Sequence, residues 1–346
     1  MSASATPLPA ALPAWLRALV PLLLALAIGA LILAALGRDP LQFFANVLNR
    51  AVFSRSGLQE TLVLMAPLLL IAASLIVCFR AGLWNLGIDG QFLLAATFAS
   101  AFAAAWVAAL PYWVAMLSLF ALAAGIGAGW AMLPAFLKAR YGVNEIISTL
   151  MMNFLGFGLS AFLIKTVFGD PEHPAPQTTM LEVAQRLPRI GETLIHVGVV
   201  FAVLVILAVH VVMTRTAFGL RLRIVGHNPR AAEHAGLNVR RLTFAVFAIS
   251  AALAGLAGAV EVLGVRGVVR ADWHPGYGLL VVPLVFLARF DGVAAIAFVF
   301  VFAVLSIGGE SAARRADLPN DFLQIMMALI LVILAVTDHV AGRARR

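Results

Sequence analysis

The sequence predicts an all-α fold: a polytopic transmembrane helical bundle of about ten spans with both termini on the cytoplasmic side. Composition is the first reason. Of 346 residues, 63% are hydrophobic and only 12% charged, with a mean hydropathy of +1.01, whereas soluble domains carry roughly a quarter charged residues. So much apolar surface cannot be hidden from water inside one globule. The second reason is pattern: the apolar runs are continuous, where the strands of a transmembrane barrel would alternate. The third is where Lys and Arg fall along the chain.

Residues 1–14 are rich in Ala, Pro and Ser and are expected to form a disordered tail. Arg17 then precedes an apolar run over 18–36. A secretory signal has a shorter apolar core, of about 7–15 residues, so this run reads as a retained first span. Segments near 16–36, 58–79, 91–109, 112–133, 145–168, 194–213, 242–264, 277–290, 292–309 and 321–341 meet, or nearly meet, the roughly 20 residues needed to cross a bilayer. The eighth is short and could form a broken or re-entrant pair with the ninth around Arg289-Phe-Asp-Gly292. The membrane-spanning body thus covers 15–341, followed by a basic tail at 342–346. With the N-terminus inside, 14 of the 24 Lys and Arg fall on the cytoplasmic side, concentrated in the central loop and the C-terminal tail. That bias sets orientation, and acids contribute little to it.

The formal charge of +8 does not imply nucleic acid, because the basic residues are dispersed over loop ends and the surrounding partner is membrane lipid. Cys78 is the only cysteine, and the seven histidines show no tight ligand spacing, so no metal site is expected. No Gly-x-x-x-x-Gly-Lys-[Ser/Thr] occurs and no nucleophile-and-base or paired-carboxylate set stands out. The chain is therefore expected to be no enzyme and to bind no cofactor. Ionisable residues are nearly absent from mid-span, which weakens a carrier with an acidic proton or sodium relay. An ATP-independent secondary carrier stays an alternative.

Four stretches interrupt the apolar pattern. Residues 80–91 contain Gly82, Gly87 and Gly90, which break any helix, together with polar Asn85, Asp89 and Gln91. Interrupted helices with polar groups are where transporters place substrate, and a cytoplasmic turn between spans is the other reading. Residues 141–153 open the fifth span with Asn144 as a helix cap and carry Asn153 inside the run, facing a helix or a polar cavity. Residues 169–192, with four prolines, form a long external loop that could dock a partner and could hold a short helix after Leu181. The basic loop 214–241 contains a short helix from Pro229 to Ala235: Asn228 caps it, Pro229 suits its first position and Gly236 suits the left-handed residue past its end. A knob of that kind is something another protein can grip. Small-residue pairs, Gly125/Gly129, Ala251/Gly255 and Ala254/Gly258, are expected to let helices approach closely.

Three of these stretches together resemble one family. They are Arg80-Ala-Gly-Leu-Trp-Asn-Leu-Gly-Ile-Asp-Gly-Gln91, Gly142-Val-Asn-Glu-Ile-Ile-Ser-Thr-Leu-Met-Met-Asn153, and Thr216-x-Phe-Gly-Leu-x-Leu-Arg-x-Val-Gly-x-Asn-Pro-x-Ala-Ala-x-x-Ala-Gly236. They are similar to the permease subunits of bacterial ATP-binding-cassette importers for nucleosides and simple sugars, within the branched-chain amino acid/ribose permease superfamily. The resemblance runs from about residue 58 to 335. It implies an inner-membrane permease working with a second, similar permease (a heterodimer), a cytoplasmic ABC ATPase that uses ATP and Mg, and an extracytoplasmic binding protein, often a lipoprotein. It also implies that Gly226, Asn228, Pro229, Ala232, Glu233 and Gly236 belong to the coupling helix that sits in the ATPase. Family members commonly carry Glu where this chain has Asp89. Asn85, Asp89, Gln91 and Asn153 are the expected polar lining of the substrate path. Nucleoside is the first expectation for cargo and sugar the second, with a branched-chain amino acid as the alternative that keeps the architecture.

Overall fold

The computed structural model describes residues 14–316 and, beyond them, single helical positions at 325, 328, 329 and 333; side chains are described from Leu23 onward. The expected tail 1–14 (save residue 14), the tenth segment 321–341 (save those positions) and the basic tail 342–346 lie outside the described residues. Helices follow one another throughout: α1 (Ala14–Ala35), α2 (Pro40–Leu48), α3 (Arg55–Arg80), α4 (Ile88–Ala109), α5 (Tyr112–Tyr141), α6 (Glu145–Thr166), α7 (Val197–Arg215), α8 (Ala217–His227), α9 (Pro229–His234), α10 (Val239–Glu261), α11 (Tyr277–Leu287) and α12 (Gly292–Arg315). Single π turns occupy Asn49–Phe53 and Val262–Arg266. No strand occurs among the described residues, only the isolated bridges Gln177–Arg270 and Arg189–His196.

Among the described residues, seven helices are long and apolar enough to cross a membrane: α3 to α7, α10 with its π turn, and α12. The segments expected as first and eighth spans are apolar but shorter as described, Leu23–Ala35 and Tyr277–Leu287. The chain is thus an all-helical, multi-pass membrane protein.

The chain falls into two compact units, Met1–Leu58 with Val301–Arg346, and Gln59–Phe300. In the first, Asp39 caps α2, its carboxylate accepting from the amides of Leu41 at 2.8 Å and Gln42 at 3.2 Å. Gly308 meets the α2 backbone at the Val47 carbonyl, where a side chain would not fit.

The second unit is built around α10, which packs on α4 and α5. Small residues make this possible. A Cβ on Gly255 would collide with the Ala123 carbonyl of α5, one on Gly127 with the Ala251 carbonyl, and one on Gly258 with the Phe92 carbonyl of α4. Close backbone approach of this kind is how helices gain dispersion contact where lipid removes any hydrophobic drive between them. The expected pairs on α10 hold. The pair on α5 does not: Gly125 and Gly129 meet open space, and Gly127 between them carries the contact. Spacing was right for α5, but its phase was two residues off.

Candidate functional site

The break between α3 and α4 is where the predicted polar residues meet. Helix α3 stops because Gly82 adopts a left-handed conformation, φ +68°. The amides of Gly82 and Leu83 then turn back to the carbonyls of Phe79 and Cys78, each at 3.0 Å, the double bond pattern that closes helices at glycine. From there to Ile88 the backbone is not helical, yet Ala81, Leu83, Asn85, Ile88 and Asp89 are all buried. Most of the break is thus packed inside the protein, while Gly82 itself is exposed. Unpaired backbone at such a place is costly unless protein groups satisfy it, and side chains do so here. Asn153 on α6 accepts from the Gly90 amide at 2.7 Å and donates to the Leu86 carbonyl at 2.6 Å. Thr149, one turn earlier on α6, accepts from the Leu86 amide at 3.1 Å.

Asn85 and Gln91 form a reciprocal amide pair, at 3.0 and 3.1 Å, and both are 0% exposed. The Asn85 amide also donates to Ser250 of α10 at 3.0 Å, and Ser250 meets Ser74 of α3 at 2.8 Å. Asp89 accepts from the Gly278 amide at 2.6 Å, so a carboxylate in the first turn of α4 holds the first turn of α11. Of the predicted path residues, Asn85 and Gln91 bond one another, Asn153 bonds the backbone of the same break, and Asp89 turns to the backbone of α11.

The far side of the break is buttressed. Phe79, Trp84, Phe286 and Phe290 form an aromatic cluster with centroids 4.9 to 5.7 Å apart. Arg80 donates to the Phe290 carbonyl at 3.2 and 3.0 Å. That carbonyl lies in the α11–α12 turn, where Arg289 and Phe290 both have positive φ, 52° and 59°, an arrangement held only by surrounding contacts. Asp291 then caps α12 through the amides of Val293 and Ala294.

The knob has the expected caps. Asn228 accepts from the Ala231 amide at 3.1 Å, Pro229 opens α9, and Gly236 follows it at φ +81°. The basic stretch before it is also helical, which was not expected. Thr216 caps α8, and Leu222 and Val225 bury one side of it while its arginines stay exposed. Of the coupling set, Ala232 is buried, whereas Asn228, Pro229, Glu233 and Gly236 are exposed. Gly226, at the end of α8, lies against the break itself: a Cβ there would sit 2.6 Å from the Arg80 carbonyl and 3.0 Å from the Gly82 amide. Gly226 of the coupling set thus makes a backbone-to-backbone contact with the start of the break, at Arg80 and Gly82.

At the opposite end of the unit the structure shows residues that sequence reasoning missed. The loop 169–192 is laced along the segment after α10. Thr178 and Val269 exchange two bonds of 3.0 Å, Leu181 bonds to Gly267 and Leu187 to Leu263. The short helix expected after Leu181 is a single 3-10 turn, Val183–Gln185. Beneath this strap, Glu261 is buried at the end of α10 and pairs with Arg266 at 3.0 Å. The intervening π turn sets that five-residue spacing. Arg266 in turn lies over the Trp273 ring, 4.3 Å from its centroid. Glu261 lies at the end of α10 and not at mid-span, so it stands beside the expectation that ionisable groups are nearly absent from mid-span. An acid closing an apolar run should have flagged a site.

The chain is similar to known proteins. The chain is 35% identical over 344 residues to the glucose ABC transporter permease protein TsgB13 of Haloferax volcanii, covering 94% of this chain and 89% of the relative. It is 28% identical over 327 residues to the guanosine ABC transporter permease protein NupP of Bacillus subtilis, covering 92% of each. It is also 28% identical over 298 residues to NupQ, another guanosine ABC transporter permease protein of that organism, covering 82% of this chain and 91% of the relative. No solved structure matches. The family model described as branched-chain amino acid transport system / permease component matches residues 57–335, the stretch that holds the break, the knob and the strap, and the chain belongs to that family.

Proposed function

We propose that this chain is the membrane-spanning permease subunit of an ATP-driven ABC importer for nucleosides or simple sugars. The observation that carries the reading is the near full-length similarity to permeases named for glucose and guanosine, joined to a capped knob, α9, preceded by a helix whose Gly226 abuts the break between α3 and α4. In this reading the chain crosses the bacterial inner membrane about ten times with both termini in the cytoplasm. The end bearing α8 and α9 faces the cytoplasm, where its arginines satisfy the positive-inside bias, and the strap 169–192 faces outward. A cytoplasmic ABC ATPase binds and hydrolyses Mg-ATP and grips α9 through Gly226, Asn228, Pro229, Ala232, Glu233 and Gly236. A second, homologous permease completes the pore as a heterodimer; similarity to two different guanosine permeases of one organism supports that arrangement. An extracytoplasmic binding lipoprotein delivers cargo.

Mechanism follows as alternating access. Closure of the ATPases displaces α9, and α8 carries the displacement to the break through Gly226 and Gly82. Asn85, Asp89, Gln91 and Asn153 then act as the frame of the substrate path: they hold the break in one of its two arrangements, and their polar groups become available to cargo when it shifts. Binding can move such an equilibrium only by contacts that differ between the two states, and a set of groups bonded within the protein in one state and open in the other supplies that difference.

The test is uptake of labelled guanosine, glucose and leucine by cells expressing the whole transporter, beside Glu233→Lys and Gly236→Pro. The expected outcome is ATP-dependent uptake of guanosine or glucose, abolished by both substitutions while the protein still reaches the membrane. Uptake of leucine alone would name an amino acid importer instead, and uptake by this chain without an ATPase would name a secondary carrier.

A further inference from the structure

Between the π turn and α11, residues 267–276 run without helix, and a cavity of about 260 Å³ opens beside them, lined by Arg266, Val268, Arg270, Asp272 and Trp273. That is slightly below the roughly 300 Å³ at which pockets for drug-sized molecules begin, so the space suits one small ring.

The floor of the cavity is fixed before any ligand arrives. Glu261, buried at 5% exposure, takes Arg266 Nε at 3.0 Å. The guanidinium carbon lies 4.3 Å from the Trp273 ring centroid, and the side chain of Tyr277 is a further partner of the same arginine. Phe92 packs on both aromatic rings, 5.7 Å from Trp273 and 5.8 Å from Tyr277. A buried carboxylate is a costly group in a span, and the task it performs here is to hold one arginine still. Side chains locked in this way make a precise site, because little ordering is left for the ligand to impose.

The rim has a different character. Arg270 and Asp272 face each other through two bonds of 3.2 Å, with side chains 58% and 73% exposed. A fork of donors beside a pair of acceptor oxygens matches two adjacent hydroxyls, each of which donates and accepts. The indole adds an apolar face against which a ring's C–H groups can pack. Arg266 pairs with Glu261 and Arg270 with Asp272, while the Arg186 guanidinium lies against Gly267 and bonds the carbonyls of Leu181 and Val265.

We propose that this cavity is a recognition site for the sugar ring of the cargo, pentose or hexose, with Asp272 and Arg270 reading a vicinal diol and Trp273 packing against the ring. The proposal rests on the importer reading and adds where, and by which part, the cargo is recognised.

The experiment uses the whole complex in proteoliposomes with its binding protein, and compares uptake of labelled guanosine with 2′-deoxyguanosine, and of glucose with 2,3-dideoxyglucose, analogues that lack a vicinal diol. The binding protein is common to all permease variants, so any change in the ratio belongs to this chain. Asp272→Asn is expected to lower uptake of the diol cargo at subsaturating concentration about tenfold or more, the scale of losing a hydrogen bond to a charged group. It should barely alter the deoxy analogue, so the ratio moves toward one. Trp273→Ala is expected to lower both, and Trp273→Phe to recover most of the loss. Stimulation of ATP hydrolysis by the loaded binding protein should persist in all three, which separates cargo recognition from docking of the binding protein. Unchanged ratio and rate in Asp272→Asn would overturn the site, as would Trp273→Phe behaving like Trp273→Ala. If the wild-type complex carries neither nucleoside nor sugar, the importer reading fails and the site with it; if it carries one and the variants match it, only the site fails.

Discussion

The two ends of the larger unit are made of opposite materials. At the end bearing α8 and α9, backbone meets backbone: Gly226 lies against Arg80 and Gly82, with no space for one methyl group. At the end under the strap, contact is made by long side chains, Glu261 with Arg266 and Arg270 with Asp272, and by the rings of Trp273 and Phe92. A glycine contact has no rotamers to absorb displacement, so it passes movement on with little slack. A charged and aromatic site can be retuned one residue at a time without disturbing the helices behind it. One end is thus suited to transmission and the other to selection.

The largest effect that could break this contrast is expected at the glycine joint. Gly226→Val places its Cβ 2.6 Å from the Arg80 carbonyl, and the added methyls must push α8 off the break. Overpacking of this kind costs about 1–3 kcal/mol. Here the functional loss should exceed the structural one, with uptake falling more than about tenfold while ATP hydrolysis by the assembled complex continues. Normal uptake in Gly226→Val would mean that α8 and the break move independently.

Next comes the hub of the break. Asn85→Leu leaves Gln91 without its reciprocal partner and removes the Asn85 donor from Ser250, which keeps its bond to Ser74. An unsatisfied buried polar group costs about 1–3 kcal/mol, which a thermal unfolding series on the purified protein should read as a clear drop. Asp89→Asn keeps an acceptor for the Gly278 amide and should cost much less. If the two variants lose stability equally, Asp89 holds α11 by its charge and not by the bond alone.

The contrast also explains what could be read from sequence. The basic end was legible because its signals are local. Asn228, Pro229 and Gly236 mark a helix by their own conformational preferences, and Gly82 with Asn85 announces a break within a few residues. The contact of Gly226 with Gly82 was not legible, since nothing in either neighbourhood points to the other. Helix α8 was hidden for another reason: its arginines read as a watery loop, although Leu222 and Val225 recur at the spacing of one helix face. The opposite end depends on a π turn and on a strap arriving from 80 residues away in sequence, so Glu261, Arg266 and Trp273 looked unrelated. Phase along a uniformly apolar helix is equally hard to read, which is why Gly125 and Gly129 were preferred to Gly127 on α5.

A smaller, pH-dependent effect should appear at the strap end. His196 is buried between Gly198 and Gly264, and neither ring nitrogen has a partner. Burial, with Arg189 nearby, holds its imidazole down to about 4 from an ordinary value of 6.5. The folded state therefore favours the neutral ring. Its contribution is intact above pH 6.5, declines as pH falls toward 4, and is lost below that. His196→Phe keeps a ring of similar size and removes the titration, so the unfolding temperature between pH 7 and pH 4 should fall less steeply than in wild type. Parallel slopes would assign the acid sensitivity to other groups.

The smallest stability effect is expected where the largest change in cargo preference is proposed. The Arg270–Asp272 pair is exposed on both sides, and exposed ion pairs contribute about 0–1 kcal/mol. Arg270→Gln should therefore unfold within a degree or two of wild type and express normally. The same substitution removes the donor fork from the cavity, so uptake of a diol cargo should drop while the protein remains as stable as before. At the glycine joint, by comparison, function and packing are expected to fail together, because the same atoms perform both tasks. If Arg270→Gln proved strongly destabilising, the rim would be part of the scaffold, and the division of labour between the two ends would not stand.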